Sequence, residues 1–300
     1  MEVFTGAYFV RLRCVARPGS KYLAADTDGR AVCLSGKRHV HNTVWAVAVA
    51  ESPDGDGAPY VFLRGAYGRF LLPTLFNMDV GSCAGFEVQQ EGFHELPIWH
   101  GFHWQAIRRG SSYILRSASG LYLRAHGKYR WSRKMVTATE DTGSSMLQWD
   151  IEDVPIRVAR PRMTDPTRQL THSRDEPPTQ DQVTRTIMYI VGQPNGTFEP
   201  DQEEWAMVQV RSSNLMQLRV TLATRLGPAY PSDQNTLCIR GGPLGPVAPL
   251  LIDLPIGTDP IAIVIFTHGT PADNSFRYPD VEAPVQRRTF LRRLMGIFQN

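Results

Sequence analysis

One pattern recurs three times in the first 155 residues of this 300-residue chain, and it restricts the fold more than any other feature. Phe9-Val-Arg-Leu12 precedes Gly19-Ser-Lys-Tyr-Leu23. Tyr60-Val-Phe-Leu63 precedes Gly68-Arg-Phe-Leu71, and Tyr113-Ile-Leu115 precedes Gly120-Leu-Tyr-Leu123. Each copy then carries a valine (Val32, Val80, Val136) and closes on a segment bearing a tryptophan (Trp45, Trp104, Trp149). The alternation of apolar and polar positions is that of half-buried strands. The glycine before each aromatic-Leu pair suits a turn that needs positive φ.

A unit of four such strands has one apolar side and cannot bury it alone. Three units about an axis bury their Leu, Val and Trp faces against one another. Copies of roughly 50 residues and about twelve strands predict a β-trefoil over residues 1–155. A seven-bladed propeller needs far more chain, and three solenoid turns would leave their edges open.

The opening MEVFTGAYFVRLRC, the GSKYLAAD turn and the closing QWDIEDV resemble a plant β-trefoil family of unknown function. Its members are commonly labelled actin-cross-linking or fascin-like. The resemblance spans residues 1–154, and the later half of the chain is similar to a module that many members carry. It implies the trefoil fold and, through the label, an actin partner; it brings no catalytic motif.

Composition narrows the rest. With 42% hydrophobic and 20% charged residues, the chain can form sizeable cores without metals or disulfides. A net charge of +3 disfavours nucleic acid as the partner. The four cysteines (Cys14, Cys33, Cys83, Cys238) form no C-x-x-C pair, and reduced, mostly buried thiols are expected. The start lacks a charged n-region and an apolar core of signal-peptide length, and no apolar run is long enough to span a bilayer. The expected setting is the cytoplasm, with cytoskeletal association if actin is the partner.

Residues 156–185 are rich in Arg, Pro, Thr, Asp and Gln and read as an exposed linker. Order resumes with strands at 186–191 and 205–210. A helix carrying Leu215, Leu218, Leu222 and Leu226 follows, and strands are expected at 236–240, 250–254 and 261–267. This ββαβββ order over 186–270 predicts a small α+β domain of the β-grasp, ubiquitin-like kind; an unrelated sandwich of two strands, helix and two strands is the alternative. Four Arg against seven acidic residues make this stretch acidic. Residues 271–300 include PVQRRTFLRRLMGIF, a basic amphipathic tail expected to pack on the acidic domain or to remain partly ordered. Contact of this tail with a membrane or an acidic partner is the alternative.

Signs of chemistry are sparse. The chain contains no G-x-S-x-G, Walker A or H-E-x-x-H motif. The glycine-rich 241–245 (GGPLG) lacks the lysine of a phosphate cradle and reads as a turn. His39 and His41 on one strand face, or His94, His100 and His103 in an aromatic segment, could suggest zinc, but no Cys or carboxylate stands at ligand spacing. No enzymatic activity, cofactor or metal is expected.

The segment 105–139 is the candidate partner surface. It holds Arg108, Arg109, Arg116, Arg124, Lys128, Arg130, Arg133 and Lys134 with no acidic residue, and Tyr129 and Trp131 are interleaved. A positive surface with exposed aromatics suits an acidic partner, whether actin's surface, nucleic acid or anionic lipid, and the aromatics also suit stacking on bases or sugars. Balancing charge from Glu87, Glu91 and Glu95 across the repeat interface is the alternative. A carbohydrate-binding trefoil, or an adaptor recruiting proteins through the ubiquitin-like domain, are the other functional readings.

Overall fold

A computed structural model describes residues 1–16, 19–78, 84–93, 99–126, 134–162, 165, 167–170, 184–201 and 204–287. The first repeat supplies β1 (Phe9–Cys14), β2 (Lys21–Ala25), β3 (Val32–Ser35) and β4 (Trp45–Ala50). The second supplies β5 (Tyr60–Arg64), β6 (Phe70–Met78), β7 (Gly85–Glu91), a short helix α1 (Trp99–Phe102) and β8 (Trp104–Arg109). The third supplies β9 (Ser112–Ser117), β10 (Tyr122–Ala125), β11 (Val136–Thr139) and β12 (Trp149–Asp153). Strands β1, β4, β5, β8, β9 and β12 pair in that order, and β12 pairs back to β1, so the barrel is closed. The β2–β3, β6–β7 and β10–β11 hairpins project from it. This is the β-trefoil that the repeat predicts.

The repeated residues do the same work in each lobe. Leu12, Leu63, Leu115, Leu23, Leu71 and Leu123 share one fully buried core. Trp45, Trp104 and Trp149 stand opposite Val10, Val61 and Tyr113 in the barrel ladders. Their indole N–H groups donate to the carbonyls of Leu23 (3.1 Å), Leu71 (2.8 Å) and Leu123 (3.0 Å). The tryptophan thus ties the closing strand of a lobe to the hairpin of the same lobe. Val80 lies outside the described residues. Trp104→Phe keeps most of the ring but leaves the Leu71 carbonyl without its donor, at an expected cost of about 1–3 kcal/mol. Urea unfolding of the Trp45, Trp104 and Trp149 to Phe variants should give three similar losses; a silent member would break the equivalence of the lobes.

The second domain is a five-stranded sheet in the order β14-β13-β17-β15-β16. Its strands are β13 (Arg185–Val191), β14 (Ala206–Val210), β15 (Asn235–Arg240), β16 (Val247–Pro249) and β17 (Ile261–Thr267). The two long central strands, β13 and β17, run parallel, as the β-grasp requires, and α2 (Leu215–Leu226) packs across one face. Asn214 caps α2 by accepting from Gln217 N, and Leu215, Leu218 and Leu222 face the core. The fourth strand forms at Val247–Pro249 rather than at 250–254. Leu250, Ile252 and Leu254 are buried as their alternation implies. Leu250 N still bonds Leu237 O on β15, but beyond it the backbone leaves the ladder, and Leu254 N bonds Ser213 O instead.

Residues 271–287 do not stay on the acidic domain; residues 288–300, which carry most of the basic amphipathic segment, lie outside the described residues. The chain forms α3 (Pro271–Ser275) and then crosses back to the trefoil, where β18 (Gln286–Arg287) pairs with Asp153 and Glu152 of β12. Arg11 and His39 both meet the Val281 carbonyl, Arg38 donates to that of Ala283, and Val281 packs with Phe9, Val44 and Val154. The physical reason is that the trefoil presents buried guanidinium donors there, and the crossing strap brings them backbone acceptors.

The described residues of 157–170 are exposed or half-exposed, yet they bond to both domains. Arg157 N meets Tyr278 O, Arg160 pairs with the buried Asp273, Leu170 N meets Asn42 Oδ1, and Gln169 exchanges two hydrogen bonds with Asp253. The ubiquitin-like domain also touches the trefoil directly. Phe93 N donates to Gly241 O at 2.7 Å and Leu244 N to Phe93 O at 3.0 Å, while Ile252 packs with Ala25 and Tyr67.

Candidate partner-binding surface

Among the described basic residues of 105–139, Arg108 and Arg109 lie apart from Arg116 and Arg124. Arg108 and Arg109 flank the β8–β9 turn, where Arg109 donates to Thr142 O at 2.7 Å. Arg116 stands opposite Gln105 on the same hairpin, four residues away along the strand, or about 13 Å. Arg116 is directly paired with Tyr122 of β10, and Arg124 follows two residues later on the same face. Arg116, Tyr122 and Arg124 therefore make one outward strip, and Lys134, two residues before β11, is exposed. Lys128, Tyr129, Arg130, Trp131 and Arg133 lie outside the described residues.

Arg124 is more than a surface charge. Its Nε donates to Thr137 Oγ1 at 3.2 Å, and its Nη2 reaches across β11 to the Ala84 carbonyl in the second lobe. Glu87 stands opposite Thr137, in the row that Arg124 begins, so an acidic residue does face this seam; Glu91 lies at the far end of β7, opposite Phe70. Glu95 is outside the described residues.

Beside the seam lies a feature that the charge pattern does not announce. Between Pro73 and Asn77, β6 advances four residues while β7 advances only from Val88 to Phe86. The surplus is extruded as a bulge. Leu75 and Phe76 on it are 90% and 74% exposed. The bulge is held by Phe76 N donating to Thr74 Oγ1 at 3.1 Å. Strands β10, β11, β7 and β6 are successive neighbours, so the apolar pair is about 14 Å from the Arg124 strip. A sequence reading passes over it because LLPTLF looks like an ordinary buried strand; the one available signal is the length of the apolar run across a proline.

The other candidates resolve differently. His103 is buried and packs edge-on against Phe62 and Tyr60, as a core residue does. His39 and His41 are not on a strand face: they enter a 3-10 turn, His41–Thr43, and His39 Nδ1 meets the Val281 carbonyl at 3.0 Å. His94 lies outside the described residues. Among the described residues no group of three or more His, Cys, Asp or Glu could hold a metal ion. No helix among them is long and apolar enough to cross a membrane. Cys14 and Cys238 are buried thiols, and burial pushes the thiols of Cys33 and Cys238 well up; Cys83 lies outside the described residues.

A family model for the β-trefoil domain of unknown function DUF569 matches residues 1–151, and one for the DUF569 associated ubiquitin-like domain matches residues 183–266. No curated protein matches the chain. Among solved structures, the chain is similar to a salivary protein of the Cysteine and Tryptophan-Rich family from Culex quiquefasciatus. The two are 19% identical over 48% of this chain and 92% of that one, with a TM-score of 0.35. It is also similar to the designed 3-fold symmetric protein ThreeFoil, 23% identical over 48% of this chain and 96% of that one, at TM-score 0.35.

Proposed function

We propose that this chain, which belongs to the DUF569 family of β-trefoil domains, is a non-enzymatic binding protein that engages a protein partner at the seam between its second and third lobes. The observation that carries this is the exposed Leu75–Phe76 pair beside the Arg116–Arg124 strip. Burying one such side chain is worth about 1.5–3 kcal/mol, so two left in water on a bulge mark an interaction surface. Apolar anchors flanked by arginines suit an acidic protein surface. Actin, the partner that the family resemblance suggests, is the specific candidate, and on that reading the protein works at filaments in the cytoplasm.

Carbohydrate held at three equivalent lobes is less well supported, because the lobes have diverged in use. The first-lobe loop spends Asp26 and Asp28 on its own turn and accepts Ile256 N at Thr27 O, under the second domain. The second lobe offers leucine and phenylalanine instead. Recruitment through the ubiquitin-like domain has one observation in its favour. Its β14 is an edge strand among the described residues and exposes Met207 at 68%.

Co-sedimentation with filaments at low salt tests the partner, and a pull-down with Leu75→Asp/Phe76→Asp tests the surface. The double variant is expected to lose tenfold or more in affinity at unchanged Tm, since both side chains are already exposed. No pelleting removes actin. Undiminished capture by the double variant removes the seam.

A further inference from the structure

Between the trefoil, the linker residues 157–162, 165 and 167–168, and the ubiquitin-like domain lies a cleft of about 450 Å³, within the size range of small-molecule sites. One wall is apolar: Leu215 and Met216 of α2 face Pro249, Leu250 and Leu251 across it. The other wall is mixed in charge, with five arginines against four carboxylates. Arg160 from the linker, Arg219 from α2 and His268 after β17 line it together; Arg157, Arg162 and Arg168 also line the cleft, as do Asp165, Asp233, Asp280 and Glu282.

The rim arginines are partly matched, Arg157 by Asp165 at 2.8 Å and Arg168 by Glu282 at 2.9 Å. The deeper ones are less so. Arg160 spends Nη2 on Asp273, and its buried Nε has no hydrogen-bond partner. Arg219 donates Nη1 to the Asn235 carbonyl at 2.9 Å and has no carboxylate partner among the described residues. The local field agrees. Burial lowers the pKa of His268, and Arg160 and Arg219 lower it further against the opposing pull of Asp273 and the Asn235 backbone. His41, at the trefoil side of the cleft, is pushed down to about 4 by burial and then by Arg11 and Arg157. Both imidazoles are thus shifted toward the neutral form by burial and by neighbouring guanidinium groups. Desolvated guanidinium donors with unused N–H groups, next to an apolar wall, have the chemistry to hold an oxyanion that carries a ring or a short apolar body.

We propose that the interdomain cleft is a binding site for a small phosphate monoester, with Arg160 and Arg219 holding the phosphoryl oxygens and the Met216–Leu251 wall packing its organic body. Because trefoil, linker and second domain all contribute, the ligand stabilises the joined arrangement of the two domains.

Phenyl phosphate, with inorganic phosphate for comparison and sodium chloride at matched ionic strength as the blank, tests this on the full chain. Phenyl phosphate at tenfold over its Kd is expected to raise Tm by about 3 °C, and inorganic phosphate by less at equal concentration. Arg219→Met keeps the alkyl stem and should abolish the shift. If that variant folds poorly, the unaltered protein still decides. A bound dianion beside His268, facing Arg160, Arg219 and Asp273, must move the NMR titration of that ring to higher pH. A saturable shift with a raised His268 titration supports the site. No saturable shift, or an unmoved His268 titration, overturns it.

Discussion

Glu152→Ala is expected to cost about 3–5 kcal/mol, because it leaves buried guanidinium groups without their shared counter-charge. Glu152 is 1% exposed on β12. Its carboxylate lies 3.3 Å from Arg38 Nε and 3.5 Å from Arg13 Nε, and it accepts from the Tyr22 hydroxyl at 3.4 Å. Arg11, fully buried on the neighbouring strand, also feels it: burial pushes this guanidinium down to about 10, and the charge of Glu152 acts in the opposite direction. Asp150 pairs with Arg13 and the charge of Asp280 acts on Arg11, while Glu152 is the carboxylate that meets both Arg13 and Arg38. For a chain of this size the loss corresponds to a fall in Tm on the order of 10 °C. The damage should also reach the strap, since Arg11 and Arg38 hold the carbonyls of Val281 and Ala283. Proteolysis near 276–287 should therefore accelerate in Glu152→Ala. A loss below about 1 kcal/mol in denaturant unfolding would show that water, not Glu152, compensates these charges.

This cluster also shows where sequence reading reaches its limit. The three lobes were legible because burial writes a period: Leu12 and Leu23, with their counterparts, recur at strand spacing, and Trp45, Trp104 and Trp149 mark each closure. The same logic finds α2 and β17. It places 250–254 in the core but not outside the ladder, since alternation reports which side faces inward and not which backbone groups pair. Arg11 reads as an outward position of β1, yet it is buried, because the strap that covers it comes from 270 residues away. That contact is made to carbonyl oxygens, which every residue carries and no side-chain pattern encodes. The described arginines of 105–139 fall at two places, because Arg108 and Arg109 stand at the β8–β9 turn and Arg116 at the open end of that hairpin, beside Tyr122. Leu75 and Phe76 are hidden in the sequence for the converse reason: they resemble core residues until the bulge turns them out.

The glycine-rich turn at 241–245 carries the second large effect. Its composition suggests no more than a turn, but in the structure two backbones meet there. A methyl group on Gly241 would collide with the carbonyl oxygen of Gly68, and one on Gly92 would come within 2.8 Å of the Gly241 carbonyl. These are backbone atoms on both sides, so neither partner can rotate away. The close approach is what lets Phe93 N reach Gly241 O, and Leu244 N reach Phe93 O. Gly241→Val is therefore expected to weaken docking of the ubiquitin-like domain by about 3 kcal/mol, more than a hundredfold in the docked population, without disturbing either core. Gly36→Ala is a suitable control, because its added methyl meets only the flexible end of Lys21 at 3.3 Å. Calorimetry should show one transition for the parent and control, and two for Gly241→Val, with faster cleavage between residues 157 and 185. The strap and the linker contacts would still tether the domains, so the radius of gyration should rise modestly. A single unchanged transition in Gly241→Val would mean that the strap alone holds the domains together and that the Gly68–Gly92–Gly241 approach is incidental.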